Sequence, residues 1–105
     1  MSVDQRKTER LSLESLNAKI WVKSENKEID YFPINVSAKG ISIFTSHRLQ
    51  TNERVSIVLG NRTIELKVVW CRLNPDDPAF FRCGLETIDS TEHFEELIQD
   101  FLRKG

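Results

Sequence analysis

Two polar clusters in this chain carry side chains suited to holding an anion. Arg6, Lys7 and Arg10 crowd the first ten residues, and Asn35, Ser37, Lys39 and Gly40 follow one another within six positions further on. A guanidinium offers a planar fork of donors that matches a phosphate or another planar acceptor pair, which a lysine ammonium does not reproduce. Asn35 brings an amide that donates and accepts, and Ser37 a hydroxyl that does both. Gly40 removes a Cβ that would obstruct a turn or a ligand's approach, and it permits a positive φ. Net charge is −1 over 105 residues, so a small anion can be held locally at the basic end. A coat for nucleic-acid polymer would need a broad basic face.

The positioning elements follow from periodicity. Residues 1–16 hold no sustained period and read as a flexible arm, and residues 17–105 read as one folded domain. Ala18, Ile20 and Val22 alternate with Lys19, Trp21 and Lys23, the pattern of a strand with one buried face. In 28–37, taken as one strand, Phe32, Ile34 and Val36 share the inner face, which leaves Asn35 and Ser37 together on the outer one. Strands follow from Ile41 and from Val55. Gly60-Asn61 reads as a hairpin turn into a fifth strand, 62–72, with Ile64, Leu66, Val68 and Trp70 on one face. Asn74-Pro75-Asp76-Asp77-Pro78 must be a loop, because two prolines cannot continue a ladder. In the sixth strand, 80–88, parity turns Cys83 inward while Cys71 faces outward, so no bridge between them is expected.

Phe94, Leu97, Ile98, Phe101 and Leu102 recur at helical spacing behind the capping candidates Asp89, Ser90 and Thr91, which predicts a helix over about 91–103. The fold class is therefore all-β: a six-stranded antiparallel β-barrel with a C-terminal α-helix and a flexible N-terminal arm. Trp21, Tyr31, Phe44 and Val69 fall opposite the core positions and are expected beneath that helix, with a partner-binding patch as the alternative. His47 and His93 lack partners at metal-ligand spacing, so no metal and no cofactor are implied. No nucleophile-base pair, phosphate-binding glycine loop or framed pair of acids argues for an enzyme. No apolar run approaches the ~20 residues of a membrane span, and the charged N-terminus is read as that of a cytoplasmic protein.

Arg6 and Arg10 form an RxxxR, and Asn35, Ser37 and Gly40 an NxSxxG. With Val68-Val69-Trp70 and Arg82-Cys83-Gly84-Leu85-Glu86 downstream, the sequence resembles the PilZ domain family over nearly its whole length. The resemblance implies a bacterial receptor or adaptor for cyclic di-GMP, held by Arg6, Arg10, Asn35, Ser37 and Gly40. Lys7 and Lys39 are attracting surface charges for which direct contact stays open. It further implies an arm that orders over the ligand, an effector protein as partner, and a role in motility or biofilm regulation. Many members carry Asp at the position of Asn35, and a carboxylate accepts two guanine N–H bonds where an amide oxygen alone accepts in Asn. Two other readings are a barrel kept as a protein-interaction module without the nucleotide, and a barrel that binds single-stranded nucleic acid. Near-neutral charge opposes the latter. Ligand stoichiometry stays open, as does the choice between a monomer and a weak dimer.

Overall fold

The computed structural model describes residues 13–88 and 93–104. Seven strands precede one helix: β1 Lys19–Val22, β2 Lys27–Ile29, β3 Phe32–Val36, β4 Gly40–Thr45, β5 Arg54–Leu59, β6 Arg62–Leu73, β7 Phe81–Thr87 and α1 Phe94–Lys104. They form one antiparallel sheet in the order β2-β1-β5-β6-β7-β4-β3. Its two edges, β2 and β3, are successive pieces of the same run, so the chain itself bridges the seam of a curled half-barrel.

The run expected as one strand over 28–37 is thus two strands broken at Asp30-Tyr31. Thr45, fully buried in β4, donates its hydroxyl to the Asp30 carbonyl at 2.7 Å. Tyr31 donates its phenol to the Ala18 carbonyl. These bonds fix the corner where the chain leaves one edge of the sheet for the other. Burial, with the Glu28 carboxylate as a lesser cause, pushes the Tyr31 phenol up to about 12.

The core is the concave side of the sheet. Ile20, Val22, Ile43, Val55, Ile57, Leu66, Val68, Cys83 and Leu85 are at most 1% exposed, as alternation predicts for a sheet wetted on one face only. Gly60 closes the β5–β6 hairpin at φ 66, a left-handed value that costs glycine little. Asn74 to Phe80 form the expected loop, tied by Asn74 N to Phe80 O at 3.0 Å.

Helix α1 begins at Phe94, three residues later than expected, and the capping candidates Asp89, Ser90 and Thr91 lie outside the described residues. It leaves Trp21 and Val69 uncovered, and Tyr31, expected on the outer face with them, is instead partly buried against the core. Phe94 and Ile98 enter the core cluster with no exposure, whereas Trp21 and Val69 each remain 37% exposed. The helix therefore caps the core. Leu13–Ser15 form a 3-10 turn against β3, and Leu16 is buried, so among the described residues packing includes positions ahead of the expected start of the domain at 17.

Candidate functional site

Two β-bulges shape the outer face. In β3 the register slips between Pro33 and Asn35, and in β6 between Val68 and Trp70, leaving Ile34 and Val69 as extra residues. One extra residue reverses the parity of everything on its far side. Phe32 is thereby turned outward, 61% exposed, instead of facing the core with Val36. Trp70 leaves the face of Leu66 and Val68 for the outside, and Cys71 turns inward. Its Sγ lies 2.9 Å from that of Cys83, so the two thiols expected on opposite faces are in contact.

Directly opposed residues of an antiparallel ladder share a face. Asn35 opposes Ser42, Ser42 opposes Gly84, and Gly84 opposes Trp70, a row across β3, β4, β7 and β6. Beside it runs a second row, Phe32, Phe44, Arg82 and Arg72. The Arg72 guanidinium carbon sits 4.8 Å from the Trp70 ring centroid, a cation–π contact that steadies the indole. Asn35, Ser37, Gly40, Ser42, Trp70, Gly84 and Glu86 all line one shallow depression of about 100 Å³. An amide, two hydroxyls and an aromatic plane thus meet on one surface with arginines beside it.

The turn after β3 is set by its own backbone. Ser37 N donates to Gly40 O at 2.8 Å, and the Ser37 hydroxyl accepts weakly from Lys39 N at 3.3 Å. The Asn35 side chain makes no hydrogen bond among the described residues, and Lys39 is exposed. Gly40 is not in the left-handed region; close approach is what demands glycine there. A Cβ on it would lie 1.9 Å from the Leu85 carbonyl oxygen. At Gly84 a Cβ would lie 2.4 Å from Trp70 Nε1, so the indole rests on bare backbone.

The structure brings Asn35, Ser37 and Gly40 together as expected. Arg6, Lys7 and Arg10, and with them the expected arm, lie outside the described residues. Sequence reasoning missed Ser42, Trp70, Arg72 and Arg82. The signal for Trp70 was a tryptophan in a narrow strand facing a glycine, legible only once β6 is paired with β7. Two larger depressions, about 310 Å³ beside Leu97 and Phe101 and about 520 Å³ beside Ala18 and Tyr31, hold none of the motif residues.

Among the described residues, no helix is long and apolar enough to cross a membrane, and no three His, Cys, Asp or Glu side chains are grouped to hold a metal ion. A sheet curled around one core and capped by a C-terminal helix is the architecture of a small half-barrel, here carrying an amide-hydroxyl-glycine turn. The chain belongs to the PilZ domain family, whose model matches residues 4–104. That family is one of cyclic di-GMP receptors and adaptors, typically non-catalytic. Comparisons with curated proteins and with solved structures returned no match.

Proposed function

We propose that this protein is a cyclic di-GMP receptor whose ligand rests on the outer face of β3, β4, β7 and β6 and is covered by Arg6 and Arg10. The observation that carries this reading is the Asn35-Ser42-Gly84-Trp70 row, set in a chain of this family. Asn35 reads a guanine edge, and Ser37 donates to phosphate or accepts from a base. Trp70, packed against Gly84 with Arg72 over its ring, offers an aromatic contact for a base once the arginine side chain moves aside. Lys39 draws the phosphates in, as Lys7 does from the arm.

The depression is too small to enclose the ligand, since pockets for drug-sized molecules hold about 300–1,000 Å³. A second element has to cover the exposed face. The 3-10 turn at Leu13 packs against β3, the strand that bears Asn35. Counting back from Leu13, the chain allows Arg10 to lie up to about 10 Å and Arg6 up to about 24 Å from that anchor, and the reading requires both to reach the platform within those lengths. Their forks suit phosphate and the O6/N7 edge of guanine. Ordering of the arm over the ligand is then the switch.

Ligand occupancy has a route to an effector protein. The turn that follows Ser37 is held by Thr87 N to Lys39 O at 2.8 Å and by Phe94 N to Ala38 O at 3.0 Å, so a shift at the site moves the start of α1. Phe32, with the Phe80 ring edge-on at 6.1 Å, gives an apolar surface beside the platform for that partner. Isothermal titration with cyclic di-GMP tests the reading. Arg6→Ala and Arg10→Ala should each weaken binding by about 1.5–3 kcal/mol, the scale of a hydrogen bond to a charged group. Unchanged affinity in both means the site is wrong, and no heat from the wild type leaves the interaction module standing.

A further inference from the structure

We propose that Cys71 and Cys83 are the site of a reversible cross-strand disulfide that holds β6 in its bulged register and thereby keeps Trp70 on the outer face. The two residues are Cα partners in the β6–β7 ladder, with their sulfurs 2.9 Å apart. Directly opposed antiparallel residues have Cα atoms about 4.5–5.5 Å apart, inside the ~4.4–6.8 Å range of disulfides. Bonding at about 2.05 Å needs the sulfurs to close by less than about 1 Å, a movement that side-chain rotation supplies.

The pair is built asymmetrically. Cys83 is fully buried, whereas Cys71 is partly exposed. Burial, and then the contact with Cys71, pushes the Cys83 thiol up, so oxidation begins at Cys71. With hydrogen peroxide as oxidant, the Cys71 sulfur, its proton lost to solvent, attacks one peroxide oxygen. The O–O bond breaks, and the departing hydroxide takes a proton and leaves as water. The Cys83 sulfur then attacks the resulting sulfenic sulfur, and its own proton goes to the hydroxide displaced as a second water. Two thiols and one hydrogen peroxide give one disulfide and two waters, the protein losing two electrons.

The consequence lies in the register. If β6 ran on from Val68 without the extra Val69, Trp70 would oppose Cys83 and face the core, and Cys71 would oppose Arg82 on the outside. Only the bulged register sets the two sulfurs together, so a bond between them removes the other. Trp70 immediately precedes Cys71, and Gly84 immediately follows Cys83, so the cross-link lies under the end of the Asn35-Ser42-Gly84-Trp70 row. Its effect on nucleotide affinity rests on the function proposed above, while the cross-link itself does not.

The test treats the full chain with hydrogen peroxide and then with dithiothreitol, in a Trp21→Phe background that leaves Trp70 as the single indole. The expected product is a monomolecular species about 2 Da lighter with no thiol open to alkylation, restored by dithiothreitol. Cys71→Ser and Cys83→Ala should each abolish it. Acrylamide quenching of Trp70 should rise at least twofold on oxidation, because the register that puts the indole in the core is removed, and cyclic di-GMP should bind severalfold more tightly. Two thiols that stay alkylatable, oxygen adducts alone, or disulfides only between chains overturn the proposal. So does a formed disulfide that leaves Trp70 quenching unchanged. Mass and quenching are read without nucleotide, so absence of binding in both redox states overturns the receptor reading and leaves the cross-link standing.

Discussion

At the scale of single residues, the two glycines of the platform have separable roles. A Cβ at Gly40 meets backbone, the Leu85 carbonyl oxygen, so β4 and β7 must part to admit it. Gly40→Ala should lower stability by roughly 1–3 kcal/mol, the range for overpacking a tight contact, as a lowered urea midpoint at unchanged slope would report. The three atoms nearest a Cβ at Gly84 all belong to the Trp70 indole, a side chain that can swing away. Gly84→Ala should cost less stability but shift Trp70 emission, read in a Trp21→Phe background. A spectrum unchanged by Gly84→Ala would mean that the indole does not rest there. Tyr31 is the only tyrosine in the chain, so its ionisation can be read cleanly by ultraviolet absorbance. With its phenol raised to about 12 by burial, the unfolded chain ionises first as pH rises past about 10. The stability that Tyr31 contributes is complete below that pH and is lost on the way to the folded value. A phenol titrating near 10 in the folded protein would contradict this.

At the scale of elements, the corner between β2 and β3 and the two bulges determine where the site lies. Thr45→Val removes the hydroxyl that donates to the Asp30 carbonyl in a half-buried bond, and should cost about 0.5–1.5 kcal/mol. Wild-type stability in that variant would show that the corner is held by other contacts. The strands were legible in the sequence wherever alternation was unbroken, as in β1, β5 and the first half of β6. The helix was legible from its apolar spacing. What alternation could not reveal was an inserted residue. Pro33 and Ile34 read as ordinary members of a strand, and so did Val69. The slips they create become visible only against the facing strands β4 and β7. For that reason the outward position of Asn35 was read correctly from its neighbour Val36, whereas Phe32, Trp70 and Cys71, each across a bulge, were assigned to the wrong face. Bulges bend and twist a strand, which is also what allows seven strands to curl around so small a core.

At the scale of the whole molecule, one run of chain supplies both edges of the sheet, its 3-10 approach packs on β3, and its site turn is bonded to the start of α1. A ligand on the platform therefore sits between the segment that leads to Arg6 and Arg10 and the helix that caps the core. Occupancy should be felt at both ends of the sequence, although the two lie far apart along it. The most direct measurement is the amide chemical-shift map of the ¹⁵N-labelled protein titrated with cyclic di-GMP. The account predicts shifts concentrated at residues 35–42, 70–72 and 84–86, with Arg6–Arg10 and Phe94 moving in step at the same ligand concentration. Shifts confined to the groove between α1 and the β5–β6 hairpin, or none at saturating nucleotide, would contradict it.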